Sequence, residues 1–295
     1  MSKLKIFVCA HKADPNTRND AVYQPIHAGK ALHEDVDLGF PGDDTGDNIS
    51  AKNEEWCELT ALYWVWKNSL DYDYVGLASY RRYLDMDVND GNVDEIMARV
   101  DIATTKWECK PTSLGRDLAL GISREAYAIF ADTFLSMHPE ASDAFIDHFC
   151  RSNSIPHYQL FLCRRDILNE YCEFMFPVLF ETEKRLLRSP YARQRRTIAY
   201  IGEHFLGFFI KYKELRMREF GCVNLAAAAP GRARTFTSPL HRKAYFTLHR
   251  WITNLYFRYS LTEESNSIVA EDDVIVGFAK DGIRLRVLDK PIYHN

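Results

Sequence analysis

Two adjacent arginines, Arg81 and Arg82, follow the apolar run from Tyr74 to Ala78, which has the length and composition of a buried strand. In open α/β sheets, ligands bind beyond the carboxyl ends of the strands. The planar fork of donors on an arginine suits the oxygens of a diphosphate. The pair therefore predicts an anion-binding site at this strand end. An ion pair with the acidic loop at residues 42–50 is the structural alternative.

The next residues, Asp85 to Asp87, have the Asp-X-Asp spacing through which nucleotide-sugar enzymes bind a divalent metal ion. The metal hypothesis makes Asp85 and Asp87 ligands of Mn²⁺ or Mg²⁺. A surface turn produces the same spacing, and the motif taken alone favours the turn. Asp85 is also a candidate general base.

The acidic loop GDDTGDNIS, at residues 42–50, leads directly into a strongly apolar helical pattern. Its oxygen-bearing side chains can accept hydrogen bonds from sugar or ribose hydroxyls; they are Asp43, Asp44, Asp47 and Asn48. Ser50 is the predicted N-cap of a helix that continues to Trp66, which places Glu58 one turn inside it. The helix N-terminus would stabilise the Glu58 charge. The alternative for each aspartate is an Asx-turn or a helix cap.

Two further residues have types suited to chemistry. His157 follows an irregular stretch and precedes the predicted strand QLFLCRR at 159–165. Glu203 interrupts the very apolar helical pattern IAYIGEHFLGFF, and a buried glutamate flanked by aromatic rings would have a raised pKa and act as a general base. The alternative is that Glu203 pairs with a nearby arginine, either Arg195 or Arg196.

The elements that must position these residues alternate between strands and helices. Strand patterns occur in KLKIFVCAH, DVDLGF, DYVGLA, DIATT and QLFLCRR, and helical patterns follow Ser50 and cover residues 123–150, 165–187 and 196–213. This alternation predicts an α/β fold with a sheet flanked by helices.

Bulk composition excludes several classes of protein. The 295 residues are 46% hydrophobic, which excludes global disorder, and a net charge of -4 argues against a nucleic-acid binder. The sequence contains no uncharged apolar run of 18 residues, so it predicts no membrane-spanning helix. Seven scattered cysteines without a CxxC pair predict free thiols and a cytoplasmic protein. The nucleophile-elbow, P-loop, GxGxxG and HExxH motifs are lacking, so hydrolase triads, kinases and dinucleotide enzymes gain no support.

The region 226–295 differs from the rest of the chain. A linker-like stretch is followed by a basic amphipathic helical pattern at 241–260, which contains Trp251. Such a helix can lie on an anionic membrane surface, here the inner face of the plasma membrane. The alternative is a helix packed on the core or on a second subunit. We therefore predict a catalytic domain at 1–225 and a mostly helical extension at 226–295, either membrane-associating or capping the core.

Four segments together resemble a bacterial glycosyltransferase family of the domain-of-unknown-function DUF4422 type, which is associated with galactofuranosyl transfer in capsule, O-antigen and exopolysaccharide synthesis. The segments are KIFVCAHK, GDDTGDNISAKNEEWCELTALYWVWKN, DYVGLASYRRYL and RRDILNEYCEFMFPVLFETEKR, and the resemblance covers roughly residues 4 to 220. It implies a GT-A-like nucleotide-sugar fold and inverting transfer of galactofuranose from UDP-galactofuranose to a cell-surface glycan, which can be lipid-linked.

The resemblance also implies roles for individual residues. Arg81, Arg82 and Tyr83 would position the UDP diphosphate without a metal cofactor. The residues that would line the sugar or uridine pocket are Asp47, Asn48 and Glu58. Glu203 is the first candidate for the general base and Asp85 the second, while His157 lies on the acceptor or donor side.

This chain departs from the family pattern at two places. Ser79 stands where relatives usually have His before YRRY, and HYQLFLC replaces a stretch containing glycine, methionine and asparagine. The second change affects the acceptor and the exact donor sugar. Two alternative functions follow: a metal-dependent transferase for a UDP-pyranose such as UDP-galactose, with Asp85 and Asp87 as ligands, or a non-catalytic glycan-binding scaffold.

Overall fold

The computed structural model of the chain describes residues 3–110, 112–188, 192–225, 276–279 and 282–285, with positions 240, 244 and 248. The chain divides into two compact units, each described separately. The first comprises Met1–Trp107, Pro156–Glu173 and Glu214–Arg250. The second comprises Glu108–Ile155, Phe174–Lys213 and Trp251–Asn295.

Four of the twelve strands among the described residues lie where apolar runs predict them: Leu4–Ala10, Tyr74–Ser79, Ile102–Thr105 and Phe161–Arg164. In chain order the twelve strands are β1 (Leu4–Ala10), β2 (Tyr23–His27), β3 (Tyr74–Ser79), β4 (Arg82–Leu84), β5 (Ile102–Thr105), β6 (Glu108–Cys109), β7 (Ser154–Ile155), β8 (Phe161–Arg164), β9 (Met217–Phe220), β10 (Cys222–Asn224), β11 (Val276–Ala279) and β12 (Gly282–Leu285). The segment DVDLGF forms no strand, so that prediction is wrong; β2 lies upstream of it instead.

An eight-stranded mixed sheet forms the centre of the first unit. Strand β1 pairs in parallel with β2 and β3, and β5 pairs in parallel with β9. Strand β8 lies between β3 and β5, antiparallel to both, while β4 pairs antiparallel with β3 and β10. A Cβ on Gly76 would lie 2.7 Å from the Phe161 carbonyl oxygen, so glycine permits β3 and β8 to approach this closely.

The pairing brings several loops to one edge of this sheet. Strands β1, β2, β3 and β5 run in the same direction, so their carboxyl ends share an edge, at which the antiparallel strand β8 begins. We call this the carboxyl edge. It receives the segments that follow β1, β2, β3 and β5, and the segment that precedes β8. Ligand sites of open α/β sheets lie at this kind of edge.

The described residues form nine α-helices: α1 (Asn53–Trp56), α2 (Leu59–Asn68), α3 (Val93–Met97), α4 (Leu114–Ile122), α5 (Arg124–Met137), α6 (Ser142–Phe145), α7 (Arg165–Arg185), α8 (Ala192–Arg195) and α9 (Thr197–Tyr212). In the first unit, helices cover both faces of the sheet. Phe7 packs against Trp64 of α2, with ring centroids 6.3 Å apart. Ile6 and Val8 share a buried cluster with Val93 of α3 on the other face.

The helix predicted to run from the acidic loop to Trp66 is interrupted. Cys57 has φ 47° and ψ -128°, which ends α1 and places Glu58 at the N-cap of α2. Ser50 is not the cap that its position predicts. It is fully buried and its hydroxyl contacts Asp43, so the expected capping group serves the loop instead.

The second unit has a core of phenylalanine rings. Helix α5 contributes Phe130 and Phe134, α6 contributes Phe145, and α9 contributes Phe205 and Phe208, all of them fully buried. Phe134 and Phe145 stack with centroids 5.0 Å apart. Such pairs contribute about 0.5–1.5 kcal/mol each beyond the burial of their area, so aromatic packing holds these helices together.

These observations confirm the α/β prediction. The division predicted at 225/226 stays a prediction, because most of residues 226–295, including nearly all of 241–260, lie outside the described residues. Within that region Leu240, Ala244 and Leu248 are helical and exposed, and β11 and β12 form an antiparallel pair. None of the described helices is long and apolar enough to cross a membrane.

Candidate active site

Arg81 lies in the turn between β3 and β4, at the carboxyl edge. Its Nε donates to Asp14 Oδ2 over 2.9 Å, and its guanidinium lies 4.7 Å from the ring centre of Tyr80. The Asn16 backbone N–H and the Arg81 guanidinium lower the pKa of Asp14, so this carboxylate stays charged. The structural partner of Arg81 is therefore a residue of the loop after β1, not the acidic loop.

Arg82 has no carboxylate partner among the described residues. Its guanidinium carbon lies 4.1 Å from the ring centre of Tyr158, and its buried Nε has no hydrogen-bond partner in the described part of the chain. The side chain is half-buried. A half-buried guanidinium without a counter-charge costs free energy, and an anionic ligand that binds it would offset that cost. Arg82 is consequently the strongest anion-binding candidate at the carboxyl edge.

The turn that carries His157 and Tyr158 is fixed by neighbouring strands. The His157 backbone N–H donates to Thr105 Oγ1 over 3.0 Å, at the end of β5. The Gln159 side chain is buried and lies within hydrogen-bond distance of the Tyr171 hydroxyl. His157 is thus held at the carboxyl edge, beside Tyr158, with ring centroids 5.4 Å apart.

Tyr83 is buried below the arginine pair. Its hydroxyl accepts from the Arg18 backbone N–H over 3.0 Å and lies 3.1 Å from the carbonyl oxygens of Asn16 and Tyr80. Backbone groups therefore use the hydrogen-bonding capacity of this hydroxyl. The geometry gives Tyr83 the role of holding the loop that carries Asp14 against β4.

The acidic loop is organised by one of its own aspartates. Asp43 is fully buried and accepts from the backbone N–H groups of Gly29 and Lys30 and from the Ser50 hydroxyl. These contacts join the segment after β2 to the start of α1. Gly29 has φ 75°, and a Cβ there would lie 2.6 Å from Asn53 Cγ, so glycine is required at this position.

Asp47 and Asn48 brace the loop against α2. Asp47 Oδ1 accepts from the Tyr63 hydroxyl over 3.1 Å, and the Asp47 backbone exchanges hydrogen bonds with the Asn68 side chain. The Asn48 amide donates to the carbonyls of Asp44 and Gly46. Since Asn68 ends α2, this part of the loop lies along the helix, which leads from the carboxyl edge back to the start of β3.

Glu58 lies at the start of α2, close to the end of β1. Burial and then the nearby Glu58 carboxylate raise the pKa of the Cys9 thiol well above its ordinary value. Cys9 pairs with Ser79 in the sheet, one residue before the turn that carries Arg81. Glu58 is therefore the member of the predicted sugar-pocket set that lies at the carboxyl edge.

Asp85 and Asp87 follow β4 in a surface segment of the first unit. Between them Met86 is buried while both aspartates are exposed, so they project away from the sheet. The chain then continues to Asp90, which accepts from the backbone N–H groups of Lys3 and Leu4 at the opposite edge. Among the described residues, no group of three or more metal-ligating side chains is assembled. The arrangement fits a surface segment.

Glu203 belongs to the second unit, on α9. It is half-buried, and the adjacent His204 is buried with Nε2 3.9 Å from Asp117 Oδ2. Burial lowers the pKa of His204, while the Glu203 and Asp117 charges oppose that shift. The polar side of α9 is thus a cluster of titratable groups, as the interrupted apolar pattern suggests.

Two residues at the carboxyl edge were not predicted from the sequence. Asp14 lies in the polar loop after β1, and the arginine pair follows β3. Because β1 and β3 are both predicted strands, an acidic residue after one and arginines after the other could have indicated an ion pair at the carboxyl edge. Tyr158 is adjacent to the predicted His157, but nothing in the sequence indicates that its ring stacks on Arg82.

A family model described as a domain of unknown function (DUF4422) matches residues 5–214. No curated relative matches the chain. The solved apo structure of WbbM, described as a bifunctional glycosyltransferase, is 28% identical and superposes with a TM-score of 0.69. The match covers 80% of this chain and 48% of the WbbM chain, so the present chain spans about half the length of that protein. By this match over most of its length, the chain belongs to the DUF4422 family, and its α/β fold is similar to that of a glycosyltransferase.

Proposed function

We propose that the protein is a glycosyltransferase that binds a UDP-sugar at the carboxyl edge of its sheet. The observation that carries this proposal is Arg82, whose half-buried guanidinium has no carboxylate partner among the described residues. Arg81 lies beside it, and in the described part of the chain its Nε pairs with the Asp14 carboxylate. Two adjacent guanidinium groups at this edge match the charge and the oxygen spacing of a diphosphate.

Family membership and the similarity to WbbM support this proposal. The WbbM structure is described as a glycosyltransferase, and transferases of this kind act on a nucleotide-sugar donor and a glycan acceptor. The arginines explain how such a donor is held by the residues of this chain. Because the arginines themselves supply positive charge for the diphosphate, we propose a metal-independent site, with Asp85 and Asp87 outside it.

The proposed reaction is a single displacement at the anomeric carbon of the donor sugar. An acceptor hydroxyl forms the new C–O bond while the bond from the sugar to the UDP β-phosphate oxygen breaks and its electron pair leaves with UDP. The arginines stabilise the charge that develops on the diphosphate. A general base takes the proton of the acceptor hydroxyl; we assign this role to Glu203, with Asp85 as the second candidate.

The donor sugar and the stereochemistry are proposed from the family resemblance. The donor is UDP-galactofuranose, the transfer is inverting, and the acceptor is a cell-surface glycan, which can be lipid-linked. We assign contact with the sugar or the uridine to Glu58, whose carboxylate is near Cys9 at the carboxyl edge. His157, held by Thr105 at the same edge, contacts the acceptor or the donor sugar.

Calorimetric titration of UDP into wild type, Arg82→Ala and Arg218→Ala tests the diphosphate assignment. Arg218 is the matched control, because it also stacks on an aromatic ring, that of Phe220 at 5.2 Å, but lies on exposed strand β9. We expect UDP affinity to fall at least tenfold in Arg82→Ala, since loss of a charge-assisted contact costs about 1.5–3 kcal/mol. Arg218→Ala should bind UDP as wild type does. Equal binding by all three proteins would refute the assignment.

The same titrations separate the alternative functions. UDP-galactofuranose should bind more tightly than UDP-galactose, and equally well with Mn²⁺ or with a chelator. A requirement for Mn²⁺ together with a preference for UDP-galactose would identify the metal-dependent pyranose transferase. Glycan binding without binding of any UDP-sugar would identify the scaffold protein.

We also propose that residues 241–260 attach the enzyme to the cytoplasmic face of an anionic membrane. The support is the basic amphipathic pattern of that segment and the exposure of Leu240 and Leu248, which are 81% and 58% accessible. Such attachment would bring the active site to a lipid-linked acceptor.

A further inference from the structure

The turn before β8 adopts a backbone conformation that its residues do not favour. Tyr158 has φ 71° and Gln159 has φ 50°, so two successive residues with side chains occupy the left-handed region. Glycine reaches this region without steric cost, whereas other residues do not. Strain of this kind persists where the surrounding structure fixes it, and it concentrates at functional sites.

Several hydrogen bonds from neighbouring residues hold the backbone of the turn. Thr105 holds the His157 backbone, Tyr171 holds the Gln159 side chain, and Thr104 Oγ1 donates to the Leu160 carbonyl over 3.2 Å. Glycine at position 158 would keep all of these hydrogen bonds and relieve the strain. The backbone therefore gives no reason for a tyrosine at this position.

The ring of Tyr158 has a specific contact, with Arg82. At 4.1 Å from the ring centre, the guanidinium carbon lies within the range of a cation–π contact. Stacking orders the guanidinium and leaves the N–H groups of its two terminal nitrogens available to an anion, whereas Nε itself is buried. A donor group ordered before the ligand arrives loses less conformational entropy on binding.

We propose that Tyr158 is a positioning residue, which orients Arg82 for the diphosphate of the donor nucleotide. This inference rests on the proposed function and adds to it the group that fixes the arginine. The left-handed backbone brings the ring under the guanidinium. The strain in the turn is thus the consequence of using a tyrosine where the backbone favours glycine.

Three substitutions, Tyr158→Gly, Tyr158→Phe and Tyr158→Leu, separate this role from a structural one. Tyr158→Gly removes the ring and relieves the strain, so thermal stability should stay equal or rise while UDP affinity falls about fivefold. Tyr158→Phe keeps the ring and should bind UDP within twofold of wild type. Tyr158→Leu removes the ring but keeps the strain, so it should lose UDP affinity as the glycine variant does.

A double substitution completes the test. If Tyr158 acts through Arg82, Tyr158→Gly in the Arg82→Ala background should cause no further loss of UDP affinity. The inference is overturned if Tyr158→Gly binds UDP as tightly as wild type while Arg82→Ala binds weakly, or if the two losses add. If wild type binds no UDP, or Arg82→Ala binds as wild type does, the proposed function itself fails and this inference fails with it.

Discussion

At the scale of single residues, adjacent arginines have different surroundings. Arg81 is neutralised by Asp14, whereas Arg82 is held by an aromatic ring that contributes no negative charge. A ligand that approaches the carboxyl edge therefore meets one compensated and one uncompensated cation. Because an uncompensated charge gains more from an anion, Arg82 should contribute more to diphosphate affinity than Arg81.

Glu203 and Asp85 are the two candidates for the general base. We expect Glu203→Gln to lower kcat by about 10²–10⁴-fold, the usual contribution of general acid–base catalysis, and to leave UDP affinity within twofold of wild type. Asp85→Asn, which removes a charge from an exposed surface segment, should keep most of the activity. Single-turnover kinetics with saturating donor would measure both effects. The opposite ranking of the two variants would transfer the role to Asp85.

At the scale of elements, buried polar groups determine where the loops of the first unit run. Asp43 joins the segment after β2 to the start of α1 through three donors. Its burial is complete, so no water replaces a lost contact without rearrangement. The acidic loop is thus a structural brace over much of its length, although its composition is also that of a sugar-binding loop.

Asp43→Ala should destabilise the first unit by about 3 kcal/mol, because it leaves several buried donors without an acceptor. Urea unfolding followed by the fluorescence of the fully buried Trp56 would report this change. Asp44→Ala is the matched control, since Asp44 is exposed, and it should change the free energy of unfolding by less than about 0.5 kcal/mol. Similar losses in the two variants would contradict this account of the loop.

A pH dependence follows from the core of the second unit. His148 is buried against Phe149 and Phe208, and burial, then Lys211 and His204, hold its pKa well below 6.5. Below pH 6.5, His148 therefore binds a proton in the unfolded chain but not in the folded chain. The free energy of unfolding consequently falls as the pH falls. This residue should cost about 1 kcal/mol of stability between pH 6.5 and 5.5.

His148→Phe should remove that part of the acid sensitivity while keeping an aromatic ring in the core. Urea unfolding followed by circular dichroism at the two pH values would show a smaller difference in the variant than in wild type. Parallel pH profiles would mean that His148 is protonated in the folded protein or is paired.

The sequence predicts elements better than it predicts their contacts. Strands β1, β3, β5 and β8 are apolar runs, so periodicity finds them, whereas β2 contains Gln24 and Pro25 and has no such pattern. Strand β9 has two charged residues among its four and β10 has only three residues, so neither forms an apolar run that periodicity would detect. The break at Cys57 and the left-handed turn at Tyr158 depend on tertiary contacts, which no local signal encodes.

At the scale of the whole molecule, the residues proposed for donor binding come from distant parts of the chain but from a single unit. Asp14, Arg82 and Tyr158 all belong to the first unit. The proposed membrane segment at 241–260 follows β10, the last strand of that unit's sheet in the chain, and has residues in both units. Donor binding and membrane attachment should therefore be separable.

A protein that ends at residue 225 should bind UDP as the full chain does but should fail to bind anionic liposomes. Flotation with liposomes containing phosphatidylglycerol, in parallel with UDP titration, measures both properties. Replacing Arg242, Lys243, Arg250 and Arg258 by glutamate in the full chain should have the same effect on liposome binding, because the attraction is to anionic headgroups. Undiminished flotation of the shortened protein would refute the membrane assignment.

The position of β8 between β3 and β5 has a consequence for biosynthesis. The strand that must separate β5 from β3 begins about 56 residues after β5 ends, so it leaves the ribosome roughly 3–11 s later than β5 at typical elongation rates. During that interval both strands present unpaired backbone groups, a state that invites association with other nascent chains. Prematurely terminated products that stop between Thr105 and Phe161 should therefore depend on chaperones or be degraded, and ribosome pausing in this interval should lower the yield of folded protein.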